Sequence, residues 1–583
     1  MNWNLSKLYT GYDDPRMAED AKYVLDTSLK LRDRIAEAPD ADALAAIILE
    51  LDKLDDTFGM LAAYTMLTLS VDAENEEAGA YYAKIDDLSI EYSQVHSALS
   101  RYIGGIKDLD ALIASNETLR SHAYAVRNYA RSAAHTISPE MEPIVLKMQA
   151  TGGSSWEKLR NDLDAGLSIT LELNGETKTL PLSAVRALAY SADPEERRRG
   201  YEAELAAYPR IEVPMAACLN GIKGEALTLA SLEHYDSVLD TALDISRMDR
   251  ATLDALISSL YDSLPMFRRY FRLKAKLLGY EGGLKFYDLC APVGESNLRY
   301  TLDEAREMLH TVMGRFSPKM AAFIDHAFED HWIDVYPREG KQGGAFCDGV
   351  HAKKMSYVMC NFDGSYNSVS TFAHELGHGY HNSCLKDVPA LLADYPMPLA
   401  ETASTFNEVM LLEKTLETAD EQTKLTLLDQ QLSDAAQVIV DILSRYIFET
   451  EVVERRKDHM MSPKELCAIM LDAQKQTYGD GLDPECLHPY MWACKSHYYS
   501  TGVHFYNFPY AFGLLFGLGI YARYQARGET FLPEYDKLLR LTGSADIREV
   551  AASIGIDVAD KAFWQSSLKT LERKIDAFEK LVG

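Results

Sequence analysis

The chain has 583 residues, with 59 Lys and Arg against 88 Asp and Glu, a net charge of −29, and ordinary shares of hydrophobic (47 %) and charged (25 %) residues. A chain this long buries a large core and suggests roughly two to four domains. So acidic a chain argues against nucleic acid and anionic membranes as partners, since both repel acidic surfaces.

In chain order, residues 1–9 lack the apolar core of an export signal. Residues 15–160 read as long helices rich in Ala, Leu, Glu, Lys and Tyr. Ser155-x-x-Lys158 matches a short Ser-Lys catalytic pattern, but the adjoining Gly152-Gly153 indicates a loop. Asn174-Gly175 lies between Ser-Ile-Thr-Leu-Glu-Leu and Glu-Thr-Lys-Thr-Leu and predicts a β-hairpin near 168–180. Pro181 ends its second strand, having no N–H for the ladder. Helical text resumes at Ser183 and runs to Leu278 through the Arg-rich 197–199. The hairpin and this charge cluster place a boundary between an N-terminal helical domain, 1–199, and a catalytic domain, 200–583. Strand-like runs follow at 285–289, 332–336 and 354–362, while Thr301 with Glu304 spells a capping box and Ser317-Pro318 opens another helix. The β-prone run 355–362 is either an internal strand or an exposed edge on which an extended peptide adds by main-chain hydrogen bonds. Gly343-Gly344 lacks the spacing of a phosphate loop, so nucleotide binding is not expected.

The chemistry concentrates at His374-Glu375-Leu376-Gly377-His378. On a helix, the two imidazoles share one face and reach one zinc ion, while Glu375 stands where a general base for a metal-activated water is needed. Ser and Thr hydroxyls at 368–371 offer an N-cap, and Phe372, Leu376 and Tyr380 form an apolar stripe. A third protein ligand is required. Continuation along the same segment is disfavoured, because His381 and Cys384 stand where that pattern wants Gly and His. Glu401, 23 residues beyond His378 and just inside a helix that Pro398 opens, is the third ligand instead, giving one Zn²⁺ per chain. Glu408, two turns later, either orients a ligand histidine or is a solvated acid. The stretch 492–510 supplies His497, His504, Tyr506 and Tyr510 as candidate donors to the oxyanion of a scissile carbonyl, with Tyr498, Phe505 and Phe508 read as core.

The runs Gly-Gly-Ala-Phe-Cys (343–347), Met-Cys-Asn-Phe-Asp-Gly-Ser (359–365), Thr-Phe-Ala-His-Glu-Leu-Gly-His-Gly-Tyr-His (371–381) and Ala-Glu-Thr-Ala-Ser-Thr-Phe-Asn-Glu (400–408), with 492–513, resemble the oligoendopeptidase F family. These are bacterial zinc peptidases related to thimet oligopeptidase and neurolysin. The likeness spans most of 200–583 and implies a mainly α, neurolysin-like bilobed helical zincin. It also implies a deep substrate channel, a small β-sheet near the active site, and His and Tyr from 497–510 over the metal. This chain departs from the common family pattern by carrying two His-aromatic pairs there, so which His and Tyr act stays open. The expected activity is zinc-dependent hydrolysis of internal bonds in short peptides. The alternatives are a carboxypeptidase or dipeptidyl carboxypeptidase on a similar frame, or a non-catalytic peptide-binding protein. Eight cysteines without a C-x-x-C pair, an absent export signal, and an apolar run at 508–520 too short for a bilayer point to the cytoplasm.

Overall fold

Apolar residues at three- and four-residue spacing, with few breakers between them, make most of this chain helical. The computed structural model describes residues 1–583 except 39, 139, 174 and 295–297. The chain divides into two units, each assembled from three stretches. The first comprises Met1–Thr136, Leu298–Thr415 and Ile520–Ile556; the second comprises Ile137–Asn297, Leu416–Gly519 and Asp557–Gly583. The expected boundary at 199/200 falls instead inside the helix Pro194–Ala207 of the second unit. The arginine run there is no linker. Arg197 is buried and donates to Asp288 at 2.7 Å, and Arg198 bridges Glu195 and Glu202 along the helix surface.

In the second unit, β1 (Ser168–Leu173) and β2 (Glu176–Pro181) form the expected antiparallel hairpin, with Leu173 opposite Glu176 at its tip. Of the two turn residues, Asn174 lies outside the described residues and Gly175 has φ +79°. Ile169, Leu171 and Leu173 alternate inward, burying one face of β1 against the helix Pro194–Ala207. The core behind it includes Tyr208, Leu219, Phe448, Trp492 and Tyr498. The expected strand at 285–289 is a 3₁₀ turn, Phe286–Asp288. Asp288 is fully buried there between Arg197 and the Tyr280 hydroxyl, a placement that a flat strand would not give. Gly153 opens the helix Gly153–Ala165 rather than a loop, and Lys158 is tied to Asp162 at 2.8 Å, so no Ser-Lys pair forms.

In the first unit, the Thr301/Glu304 capping box and the Ser317-Pro318 helix start are both present. A three-stranded sheet orders β3 (Ile333–Asp334), β5 (Met355–Met359) and β4 (Phe346–Val350), with β5 in the centre, parallel to β3 and antiparallel to β4. The run at 355–362 is therefore not an edge. All five residues of β5 are buried, and an unforeseen strand, β4, which carries a glycine and an aspartate, takes its free side. This sheet packs on the helix Tyr366–Leu385, which carries the histidine motif. Among the described residues no helix is long and apolar enough to cross a membrane.

The motif helix meets the following helix, Met397–Thr418, at Gly377. A Cβ at 377 would stand 2.7 Å from both the Ala403 carbonyl oxygen and the Ser404 Cα. Backbone meets backbone there, so nothing flexible can yield. Gly377→Ala is therefore expected to push the helices apart, lowering unfolding stability by about 1–3 kcal/mol and weakening metal binding. Urea unfolding and metal titration check this, and unchanged values in both would refute the close-approach argument.

Candidate metal centre and active site

The motif helix begins at Ser365, whose hydroxyl accepts the Ser368 N–H, and not at the expected hydroxyls of 368–371. Ser368 turns back to Asp363, which also accepts the Ser365 N–H at 2.9 Å. Gly364, at φ +82°, makes the lead-in tight enough for this. From that start, Phe372, Leu376 and Tyr380 point into the core, which leaves His374 and His378 together on the other side of the helix.

Their Nε2 atoms lie 3.1 Å apart. A Glu401 carboxylate oxygen stands 3.4 Å from His374 Nε2 and 3.7 Å from His378 Nε2. Three atoms bonded to one zinc at ~2.0–2.1 Å, at tetrahedral angles, would lie about 3.3 Å from one another. The donor set thus fits a tetrahedral dication, and it is the only such group of three among the described residues. Glu408 accepts from His374 Nδ1 at 2.6 Å, which orients the ring and turns Nε2 toward Glu401. Although its side chain is 42 % exposed, Glu408 is therefore not merely a solvated acid.

Burial opposes charge on His374, but the Glu408 bond and the surrounding carboxylates outweigh it and raise its pKa. Burial depresses His378, helped by the neighbouring His374. The carboxylates that favour a proton on His374 favour a divalent cation by the same field. Glu375 is only 6 % exposed and accepts no hydrogen bond from a described residue. Burial pushes its carboxyl up to about 7, with Glu401 and Glu408 adding to the rise and His374 opposing it. Its placement suits it to take a proton and give it back.

Two supporting residues escape sequence reasoning. Ser404 donates to the Glu401 carboxylate oxygen that faces the two histidines at 2.8 Å, and the buried Asn407 donates to the Ala373 carbonyl, tying the two helices together. Their only sequence signal is position: Ser404 lies one helical turn beyond Glu401, and Asn407 immediately precedes Glu408. His381 takes no part in the triad; it is fully buried, bonded to Thr542 at 2.8 Å and stacked on Tyr395.

Within the second unit, three of the four candidates at 497–510 converge. The rings of His497, Tyr506 and Tyr510 lie with centroids 5.3–6.1 Å apart. His504 faces elsewhere, 3.5 Å from Lys223 Nζ. Tyr498, Phe505 and Phe508 are core, as expected. The turn presenting Tyr506 is strained, since Phe505 has φ +52° without being glycine. It is held by Glu449, which accepts the Phe505 N–H at 3.0 Å and the Asn507 side-chain amide at 2.9 Å. Lys223, 0 % exposed, neutralises Glu449 at 2.6 Å. Neither Lys223 nor Glu449 carries a motif that sequence alone would flag.

The sequence and the fold have counterparts among known proteins. A family model described as Peptidase family M3 matches residues 187–570, and one described as Oligopeptidase F matches 105–168. Oligopeptidase PepF of Bacillus subtilis is 23 % identical over 565 residues, covering 95 % of this chain and 83 % of that protein. The chromosomal Oligoendopeptidase F of Lactococcus lactis subsp. cremoris is 27 % identical over 412 residues, covering 70 % and 67 % respectively. The crystal structure of oligoendopeptidase-F from Enterococcus faecium superposes with a TM-score of 0.72 at 20 % identity, covering 97 % of this chain and 98 % of that one. A solved structure from Chlamydophila abortus reaches a TM-score of 0.84 at 22 % identity, covering 100 % and 98 %. The mainly helical fold and the family match define a metalloendopeptidase. The chain belongs to peptidase family M3, in its oligoendopeptidase F group, and is a peptidase of oligopeptides.

Two outcomes follow from these contacts. Removing the bond to His374 Nδ1 by Glu408→Ala should weaken metal binding about 10–100-fold, read by chelator competition; unchanged affinity would show that Glu408 does not orient the ring. Burial, with Lys223 beside it, holds His504 down to about 3. Its folded pKa lies below the unfolded value of about 6.5, so neutral His504 favours the fold above that pH, and this contribution is lost as pH falls toward 3. Wild type should therefore lose more unfolding free energy than His504→Gln between pH 7 and 4, and parallel curves would contradict this.

Proposed function

We propose that this chain is a zinc-dependent endopeptidase that cuts internal bonds of short oligopeptides, with His374, His378 and Glu401 holding one Zn²⁺ and Glu375 acting as general base. The observation that carries this reading is the convergence of three donor atoms at tetrahedral spacing beside an unpartnered, buried carboxylate. Zinc held there supplies Lewis acidity, acidifying a water toward a pKa of about 7 and polarising a peptide carbonyl.

The chain's own groups do the rest. Glu375 takes the proton of the attacking water and returns it to the departing amine nitrogen, so no acyl-enzyme forms. Glu408 keeps His374 in the Nδ1–H tautomer, and Ser404 holds the Glu401 carboxylate in place. The role of oxyanion donor is assigned to His497, Tyr506 and Tyr510 on the family resemblance and their hydrogen-bonding chemistry, and the Lys223–Glu449 pair holds the turn that presents Tyr506. His504, turned toward Lys223, belongs to that supporting structure. The eight unpaired thiols support a cytoplasmic setting.

The test uses an internally quenched peptide acetylated and amidated at its ends. Wild type is expected to cut it, and Glu375→Gln to retain stoichiometric metal while kcat falls about 10²–10⁴-fold. An uncut blocked peptide would favour a carboxypeptidase, and full turnover by Glu375→Gln would remove the assigned base.

A further inference from the structure

A cavity of about 380 Å³ lies wholly within the second unit, with the exposed Tyr190 and Ala187 at its rim. That size falls in the range of small-ligand pockets. Its walls combine an apolar side, Phe271, Phe286, Leu289 and Tyr478, with several charges. Those charges are matched but for one. Arg186 pairs with Glu204, Arg197 with Asp288 at 2.7 Å, and Asp441 with Arg445 at 2.5 Å. The Lys495 ammonium has no hydrogen bond or ion pair with any described residue, although it lines the cavity and burial lowers its pKa. Asp441, the acid it senses, is already taken by two Arg445 nitrogens.

A second observation is independent of the first. His488 also lines the cavity, is 1 % exposed, and neither ring nitrogen has a hydrogen-bond partner. Nε2 stands 3.3 Å from Glu204 but off the line of a bond. A buried imidazole left unbonded and a half-buried ammonium left unpaired both favour an occupant that offers them partners. A π-helical turn, Gln437–Asp441, brings Gln437 and Asp441 into the same wall, and such turns occur often at binding sites.

We propose that this cavity binds a small monocarboxylate with an apolar body, its anion on Lys495, a polar atom at His488, and its hydrocarbon against Phe271, Phe286 and Tyr478. The charge balance sets the sign of the ligand, since one anion pairs the remaining cation. The apolar wall sets its body. Lys495 immediately precedes the 3₁₀ turn Ser496–Tyr499 that carries His497, so an occupant also steadies the backbone beneath that ring.

The test is isothermal titration of the metal-loaded full chain with sodium phenylacetate and with phenylacetamide, which share a shape but not a charge. One acid should bind per chain, at least tenfold more tightly than the amide. Lys495→Met should remove that margin, and Ala189→Trp, which puts a large side chain into the cavity wall, should abolish binding of both. Equal affinity for acid and amide, or no binding to wild type, overturns the proposal. Acid binding that survives both variants also overturns it, because the carboxylate then sits on the metal instead. None of these outcomes bears on the assignment of Glu375, which is read by turnover.

Discussion

The metal centre depends on how closely two helix backbones approach. His374 and His378 come from one helix and Glu401 from the next, and three donors about 3–4 Å apart require those helices to touch at main-chain distance. Gly377 permits that contact, because any Cβ would strike the Ala403 carbonyl. Asn407 then locks it with a bond to Ala373. The spacing of the donors is thus a consequence of helix packing, and the small residue between the histidines is as necessary as the histidines themselves.

That packing has an electrostatic cost. Three carboxylates, Glu375, Glu401 and Glu408, gather around two imidazoles in a partly buried site, where like charges repel more strongly than in water. Orientation resolves part of the conflict: Glu408 is satisfied by His374 Nδ1 and Glu401 by Ser404, leaving Glu375 unbonded. The same crowding that destabilises the metal-free site makes it attractive to a dication. It also raises the pKa of the one carboxylate that accepts no hydrogen bond from a described residue, Glu375.

The second unit uses a related device. The strained Phe505 turn persists because Glu449 holds its N–H and the Asn507 amide, and Glu449 persists in the interior because Lys223 pairs with it. A charge pair so deep is poor evidence for stability in itself, but here it over-determines a backbone that would otherwise relax. The ring cluster of His497, Tyr506 and Tyr510 is thereby presented in one arrangement.

Local signals made much of this legible. The i, i+4 histidines, the intervening glutamate, the carboxylate just inside the next helix, the Asn-Gly hairpin and the Thr301 capping box each follow from chemistry within a few residues, and such signals survive folding unchanged. Other features depend on partners far away in sequence, which no local pattern encodes. The strand 355–359 became central only because a weak strand, β4, and the short β3 flanked it. The arginines at 197–199 resembled a boundary until Asp288, far along the chain, buried one of them. His497 and His504 are alike in the sequence, yet His497 stands with the rings of Tyr506 and Tyr510 while His504 stands beside Lys223. The sequence by itself determined which groups can bind a metal and move a proton, because those capacities belong to side chains and to helical spacing. Which of them meet, and which cation is left without a partner, was decided only by tertiary packing, because distance and desolvation are properties of neighbours and not of residues.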